Sequence, residues 1–232
     1  IVTKKPPSEF QGYAKVDLGN YDDVRTRIGI GGPIIKGVLN AKLDAFLADG
    51  DGHVKNIATG ETYNTPDGYG LRGQLNLIPG EGVDILLAAD WTKINRKDGP
   101  SESFAFDWRA AGFAPPVSAG PIVFAPKPYE VNIDGPSDED MESYGFSAHA
   151  TIDVAENLAL TSITAYRDAK ALRVFDRDYT NQPLFGDINN ETQNQFSQEL
   201  RLATTGNGKL DVTAGLFYFN QKVKESTDIY TL

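Results

Sequence analysis

The residues that could carry covalent chemistry are few. The 232-residue chain has two histidines, His53 and His149, and no cysteine. A serine nucleophile needs a histidine base in reach. Neither histidine stands in such a setting, since His53 falls in a predicted loop and His149 on the polar phase of a predicted strand. Both read as ordinary surface residues, and the chain is not expected to be an enzyme. The absence of cysteine removes disulfides, thiolate metal sites and a thiol nucleophile while leaving the redox compartment open.

Oxygen ligands are more plentiful. Asp49-Gly50-Asp51-Gly52 resembles half of a calcium loop, and the spacing offers Glu61 as its closing carboxylate, but His53 occupies the third ligand position. A flexible hairpin tip is the plainer reading. The acidic run Ser137-Asp138-Glu139-Asp140-Met141-Glu142 reads first as a solvated loop. Gly29-Ile30-Gly31-Gly32 has no helical pattern after it that would offer an anion-binding N-terminus, so a strand followed by a turn accounts for it. No metal and no cofactor is expected.

The charge balance narrows the partners. With 22 Lys and Arg against 32 Asp and Glu, the net charge is −10, and no basic cluster offers a face for phosphates. Nucleic acid is therefore not an expected partner. A mean hydropathy of −0.35 and the lack of a long apolar run exclude a transmembrane helix, but not a transmembrane barrel, whose strands alternate apolar and polar residues. The 23 glycines, 13 prolines, 12 phenylalanines and 10 tyrosines favour strands joined by turns.

Period-two alternation supplies the elements. Phe10, Gly12, Ala14, Val16 and Leu18 share one face while Gln11, Tyr13, Lys15 and Asp17 share the other. The pattern repeats from Val24 to Ile30, Leu39 to Leu47, Tyr69 to Leu77 and Val83 to Trp91, with no charge on any of these apolar faces. Tyr144 to Ile152 alternates cleanly, Leu158 to Tyr166 mixes apolar residues on both phases, and Phe196 to Leu202 and Leu210 to Phe219 complete a count of about nine strands. Lys15, Asp17, Arg25, Arg27, Lys42, Asp44, Arg72, Asp84 and Asp90 mark the polar face. Tyr69, Trp91, Tyr144 and Tyr166 fall at the ends of these strands, where amphipathic rings suit a membrane interface.

Connections decide what the apolar face meets. Short turns near Pro33, Ile78–Gly82, Asp153–Asn157 and Ala203–Lys209 alternate with long connections near 49–68, 94–140 and 168–191. Apart from the modest first loop at Gly19–Asp23, every long connection falls at one end. An outer-membrane barrel has that asymmetry, whereas a sandwich has no reason for it. The predicted fold is all-β: an antiparallel up-and-down transmembrane β-barrel segment of about nine strands, part of a larger barrel.

Several stretches resemble one family. IVTKKP looks like the end of the plug of a TonB-dependent outer-membrane receptor, where the chain enters the barrel. EFQGYAKVDLGNYDDVRTRIGIGGPI is similar to that family's first hairpin, and ADGDGHVKNIATGETYNTPDGYGLRGQLNLIP continues the match. SITAYRD, QFSQELRLAT and AGLFYF resemble later barrel strands. The resemblance divides the chain into residues 1–8, the end of the plug and its linker, and 9–232, a partial barrel. Both ends read as cuts through a longer chain, with the plug lying outside it.

This resemblance implies the barrel portion of an active transporter in the outer membrane of a Gram-negative bacterium. Such a transporter takes up a scarce nutrient, a ferric siderophore for example, and is energised by the TonB complex acting through the plug. Outer-membrane lipid would be the second partner. Ligand choice would rest on the long loops. In the 94–140 loop, Phe104, Phe106, Trp108 and Phe113 could stack on an extended ligand, and Arg109, with Arg96 and Lys97, could attract an anionic one. The alternative is a secreted or surface β-sandwich binding a carbohydrate-type ligand, with its apolar face buried against a second sheet.

Overall fold

The computed structural model describes residues 4–98, 121–205 and 210–230. In chain order the strands are β1 (Gln11–Leu18), β2 (Val24–Ile35), β3 (Leu39–Asp49), β4 (Val54–Asn56), β5 (Thr62–Tyr63), β6 (Gly68–Gly80), β7 (Val83–Lys97), β8 (Glu130–Val131), β9 (Ser137–Ala155), β10 (Leu158–Asp176), β11 (Gly186–Thr204) and β12 (Thr213–Tyr230). Nine of them form one sheet in the order β1-β2-β3-β6-β7-β9-β10-β11-β12. Every neighbouring pair in it is antiparallel. It is an up-and-down meander, open at β1 and β12, as the alternation requires.

The faces are inverted relative to a water-soluble protein. On the apolar face Val16, Ile28, Leu43, Leu75 and Leu87 are 58%, 50%, 51%, 41% and 43% exposed, while on the polar face Asn40, Gln74 and Asn76 are 6%, 3% and 3% exposed. A sandwich would bury the first set beneath a second sheet. Among the described residues the other sheet is only β5-β4-β8, whose own small core is Tyr63, Val131 and Ile133 with Val54 packed against it. The sandwich alternative therefore fails on its central requirement.

The strands run further than the alternation signals. β9, β10 and β11 have 19 residues each, and the β10–β11 ladder is unbroken from Leu158↔Thr204 to Asp176↔Gly186. Much of the 168–191 segment predicted as loop is thus ladder, and the connection shrinks to residues 177–185. The acidic run from Ser137 to Glu142 likewise opens β9 instead of forming a loop. The reason is physical: past the aromatic rows polar and apolar residues mix on both faces, so the period-two contrast fades although the backbone pairing continues.

Of the predicted interface aromatics, Tyr69 opens β6 while Trp91, Tyr144 and Tyr166 fall in mid-strand, and they assemble into a belt. Tyr69 and Trp91 meet edge to face at 5.4 Å between centroids, Tyr144 lies 6.3 Å from both Phe146 and Tyr166, and Phe196 lies 6.2 Å from Tyr218. From Val83 to Trp91 on β7 the outward residues below the belt are apolar. On β10 and β11 the strip contains Ser162, Thr164 and Gln198, which satisfy one another: Thr164 Oγ1 donates to Gln198 Oε1 at 2.5 Å and Gln198 Nε2 donates to Ser162 Oγ at 3.1 Å. Such mutual satisfaction lowers the cost of polar groups on an otherwise apolar face.

Candidate functional site: the polar wall and the long-loop end

The polar face is a wired wall. Asp90 on β7 accepts from Arg72 on β6 at 3.1 Å and from Arg167 on β10 at 2.9 and 3.0 Å. Arg167 reaches Asp90 across Gly145 of β9, where an added Cβ would stand 2.8 Å from Arg167 Nη2. Tyr13 Oη donates to Asp44 at 3.1 Å and Lys42 pairs with the same carboxylate at 2.8 Å. Tyr13 lies across Gly29, whose Cβ would come within 2.3 Å of the ring. The glycine run at 29–32 thus makes room for a side chain on the wall and forms no nucleotide loop.

The segment before β1 also docks on this face. Lys5 donates to Asp84 at 2.7 Å, and Asn76 holds the same carboxylate at 2.8 Å. The sequence marked Asp84 as polar-facing but could not reveal its partner, which lies 79 residues away.

At the long-loop end the pairs become denser. Glu139, with a side chain only 4% exposed, pairs with Arg96 at 2.6 Å and Arg173 at 2.7 Å. Hydrogen bonding to Glu139 raises the pKa of Arg173. Lys97 pairs with Glu61 at 2.5 Å, and that bond raises the pKa of Lys97. Glu61, the carboxylate offered as the closing ligand of a calcium loop, is instead placed against the Lys97 ammonium group. The strands β4, β5 and β8 gather here, with Asn56 wholly buried and donating to the Ile133 carbonyl at 2.8 Å. His53 lies exposed between Tyr21 and Tyr129, its ring 6.2 and 5.9 Å from theirs.

Among the described residues a carboxylate cluster stands out in a place the sequence did not indicate. Oxygens of Asp134, Asp176 and Asp178 lie within 4.8 Å of one another. Asp176 accepts from the backbone N–H groups of Gly135, Asp178 and Tyr179, and Asp178 accepts from those of Thr180 and Phe185. These bonds close the 177–185 turn. Burial, and then the Asp178 charge, push the Asp176 carboxyl up to about 6; burial also raises Asp134. Phe104, Phe106, Trp108, Arg109 and Phe113 lie outside the described residues.

No protein-family model and no curated protein matches the chain. Solved structures do. The ferric yersiniabactin uptake receptor FyuA of Yersinia pestis superposes with a TM-score of 0.79 over 99% of this chain, at 19% identity, and 33% of the receptor is covered. The chain has the fold of a barrel segment of TonB-dependent receptors. The siderophore receptor PiuA of Acinetobacter baumannii gives 0.71 at 12% identity, covering 96% of this chain and 32% of that one. FpvA of P. aeruginosa, solved with a bound pyoverdine–iron complex, gives 0.60 at 16% identity over 99% and 29%. The chain thus spans about a third of the length of the receptors it matches. In this barrel-segment fold the sheet is one arc of the wall, and the ion-paired face is the one that a closed barrel turns inward.

Proposed function

We propose that this chain is part of the wall of an outer-membrane active transporter in a Gram-negative bacterium. It takes up a scarce nutrient of the ferric siderophore class and is energised by the TonB complex through a plug. The observation that carries this reading is the exposed apolar strip beneath an aromatic belt, backed by a polar, ion-paired inner face. An apolar band of that kind suits a bilayer, and about nine to eleven tilted residues per strand cross it. The remaining residues of the 19-residue strands project beyond it, carrying the long loops outward. The wall does no covalent chemistry.

Ligand choice is assigned to those loops, chiefly 94–140 with Phe104, Phe106, Trp108, Arg109 and Phe113, and to the turn at 177–185. The test uses the full-length chain carrying this segment, produced in an iron-starved strain that lacks its own receptors. Uptake of a radiolabelled ferric siderophore that requires TonB supports the reading. Correct outer-membrane insertion without uptake from any ferric siderophore in a panel overturns the substrate class. Deleting residues 104–113 is expected to weaken equilibrium binding at least tenfold with surface expression unchanged.

A further inference from the structure

Between two tiers of ion pairs the inner wall carries a small apolar recess. In the sheet register Asp90 stands opposite Gly145, which stands opposite Arg167, and nearer the long-loop end Arg96, Glu139 and Arg173 stand side by side in the same way. Two rows on the same face separate these tiers, and they break the pattern. Thr92, Ser143 and Ala169 make the lower row, and Ile94, Met141 and Ala171 the upper. None of the six is charged and three are small, so the wall steps back between taller charged neighbours. The recess holds about 150 Å³. Ala171, only 6% exposed, belongs to its floor, while Gln193 and Glu191, opposite Ala169 and Ala171, close its β11 side. It spans β7, β9, β10 and β11, none of which is an edge strand.

Size and lining select the occupant. An engineered apolar cavity of about 150 Å³ takes up benzene, so there is room for one six-membered ring and not for two fused rings. Strand spacing puts Ala169 and Ala171 about 7 Å apart, a separation that one flat ring covers with a methyl group under each end. The thioether of Met141, the chain's single methionine, adds a polarisable contact that favours an aromatic ring over a saturated one. Arg173, held by Glu139 at 2.7 Å, sets a guanidinium at the upper edge, where ring electrons and oxygen substituents both attract it. An extended alkyl chain would run out of the recess into the ion pairs above or below and strip them of water.

We infer that this recess binds a single aromatic ring carried by the ligand, so that the wall selects aryl-bearing iron chelates over aliphatic ones. The inference rests on the receptor reading and narrows its ligand class. The ring enters by its hydrocarbon face, and the donor atoms and the metal stay in the lumen.

The test uses the full-length chain carrying this segment, purified in mild detergent after its outer-membrane location and TonB-dependent uptake of a ferric siderophore have been checked in cells. A chain that fails that check overturns the receptor reading and this one with it; a chain that passes isolates the recess. Binding of the iron(III) complexes of acetohydroxamate, cyclohexanecarbohydroxamate and benzohydroxamate is compared by isothermal titration calorimetry. The three share donor atoms and charge and differ only in the group offered to the recess. The benzohydroxamate complex should bind roughly tenfold more tightly than either of the others. Ala169→Leu and Ala171→Leu, which fill the recess, should bring that ratio close to unity and leave the affinity for the acetohydroxamate complex as in the parent. Met141→Ala, which enlarges the recess without adding bulk to the wall, should admit the 2-naphthohydroxamate complex that the parent excludes. Equal binding of the three complexes, no binding of the benzohydroxamate complex, or an intact Ala171→Leu barrel with the parent's preference overturns the site.

Discussion

Asp176 shows how a single residue sets a condition on the loop end. Its carboxyl is buried and raised to about 6, so between about pH 4 and 6 the folded turn keeps a proton that the unfolded chain has released. Stability therefore falls as pH rises through that window, and the penalty above it is about 3 kcal/mol. Amide hydrogen exchange at Asp178 and Tyr179, corrected for intrinsic rate, should show protection at least about tenfold lower at pH 7.5 than at pH 5; equal protection would mean that Asp176 is ionised throughout. At Gly145 the expected effect is electrostatic. Gly145→Val places a side chain where Arg167 crosses to Asp90 and should cost about 1 kcal/mol. Arg167→Ala should then add almost nothing in that background, and full additivity in the double-mutant cycle would show that the two do not share the pair.

Among the elements, the long strands β9 to β11 hold the polar end together by ion pairs that cross the ladder. Glu139 is the node, nearly buried between Arg96 and Arg173. Glu139→Ala should destabilise the loop end by about 2 kcal/mol, measured by proteolytic nicking of the β10–β11 turn, whereas Arg96→Ala leaves the Arg173 pair and should cost less. Equal susceptibility of both variants and the parent would remove the node. These strands also show where the sequence was legible. Val83 to Trp91 and Tyr144 to Ile152 were readable because one face is apolar and the other polar. Residues 168–176 and 186–191 were not, because Asp168, Lys170 and Asn190 share the outward face with Leu172, Val174 and Ile188, while Ala169, Ala171 and Phe175 share the inward face with Arg173 and Glu191, leaving little contrast to read. The site was legible to the extent that charges such as Asp84 and Asp90 could be placed on one face. The pairs Lys5–Asp84 and Arg167–Asp90 join residues 79 and 77 positions apart, and the turn-closing role of Asp176 depends on Gly135 arriving from another strand connection.

For the whole molecule, the arc is open at β1 and β12, and hydrocarbon does not tolerate unpaired backbone edges. Residues 1–232 reconstituted alone in liposomes should give no ligand-specific uptake, while the full-length chain energised through TonB should; uptake by the segment alone would show that plug and further strands are dispensable. The central claim is the inversion of the two faces, and the cysteine-free sequence lets it be tested one residue at a time. Nitroxide labels at Leu43→Cys, Leu75→Cys and Leu87→Cys, and at Asn40→Cys, Gln74→Cys and Asp90→Cys, would be compared in the full-length chain embedded in lipid. The predicted result is high collision with oxygen and exclusion of a water-soluble nickel chelate at the three leucine positions, with oxygen access lower at the other three. Leucine positions that are immobile and closed to both reagents would mean a packed protein core and would contradict the barrel.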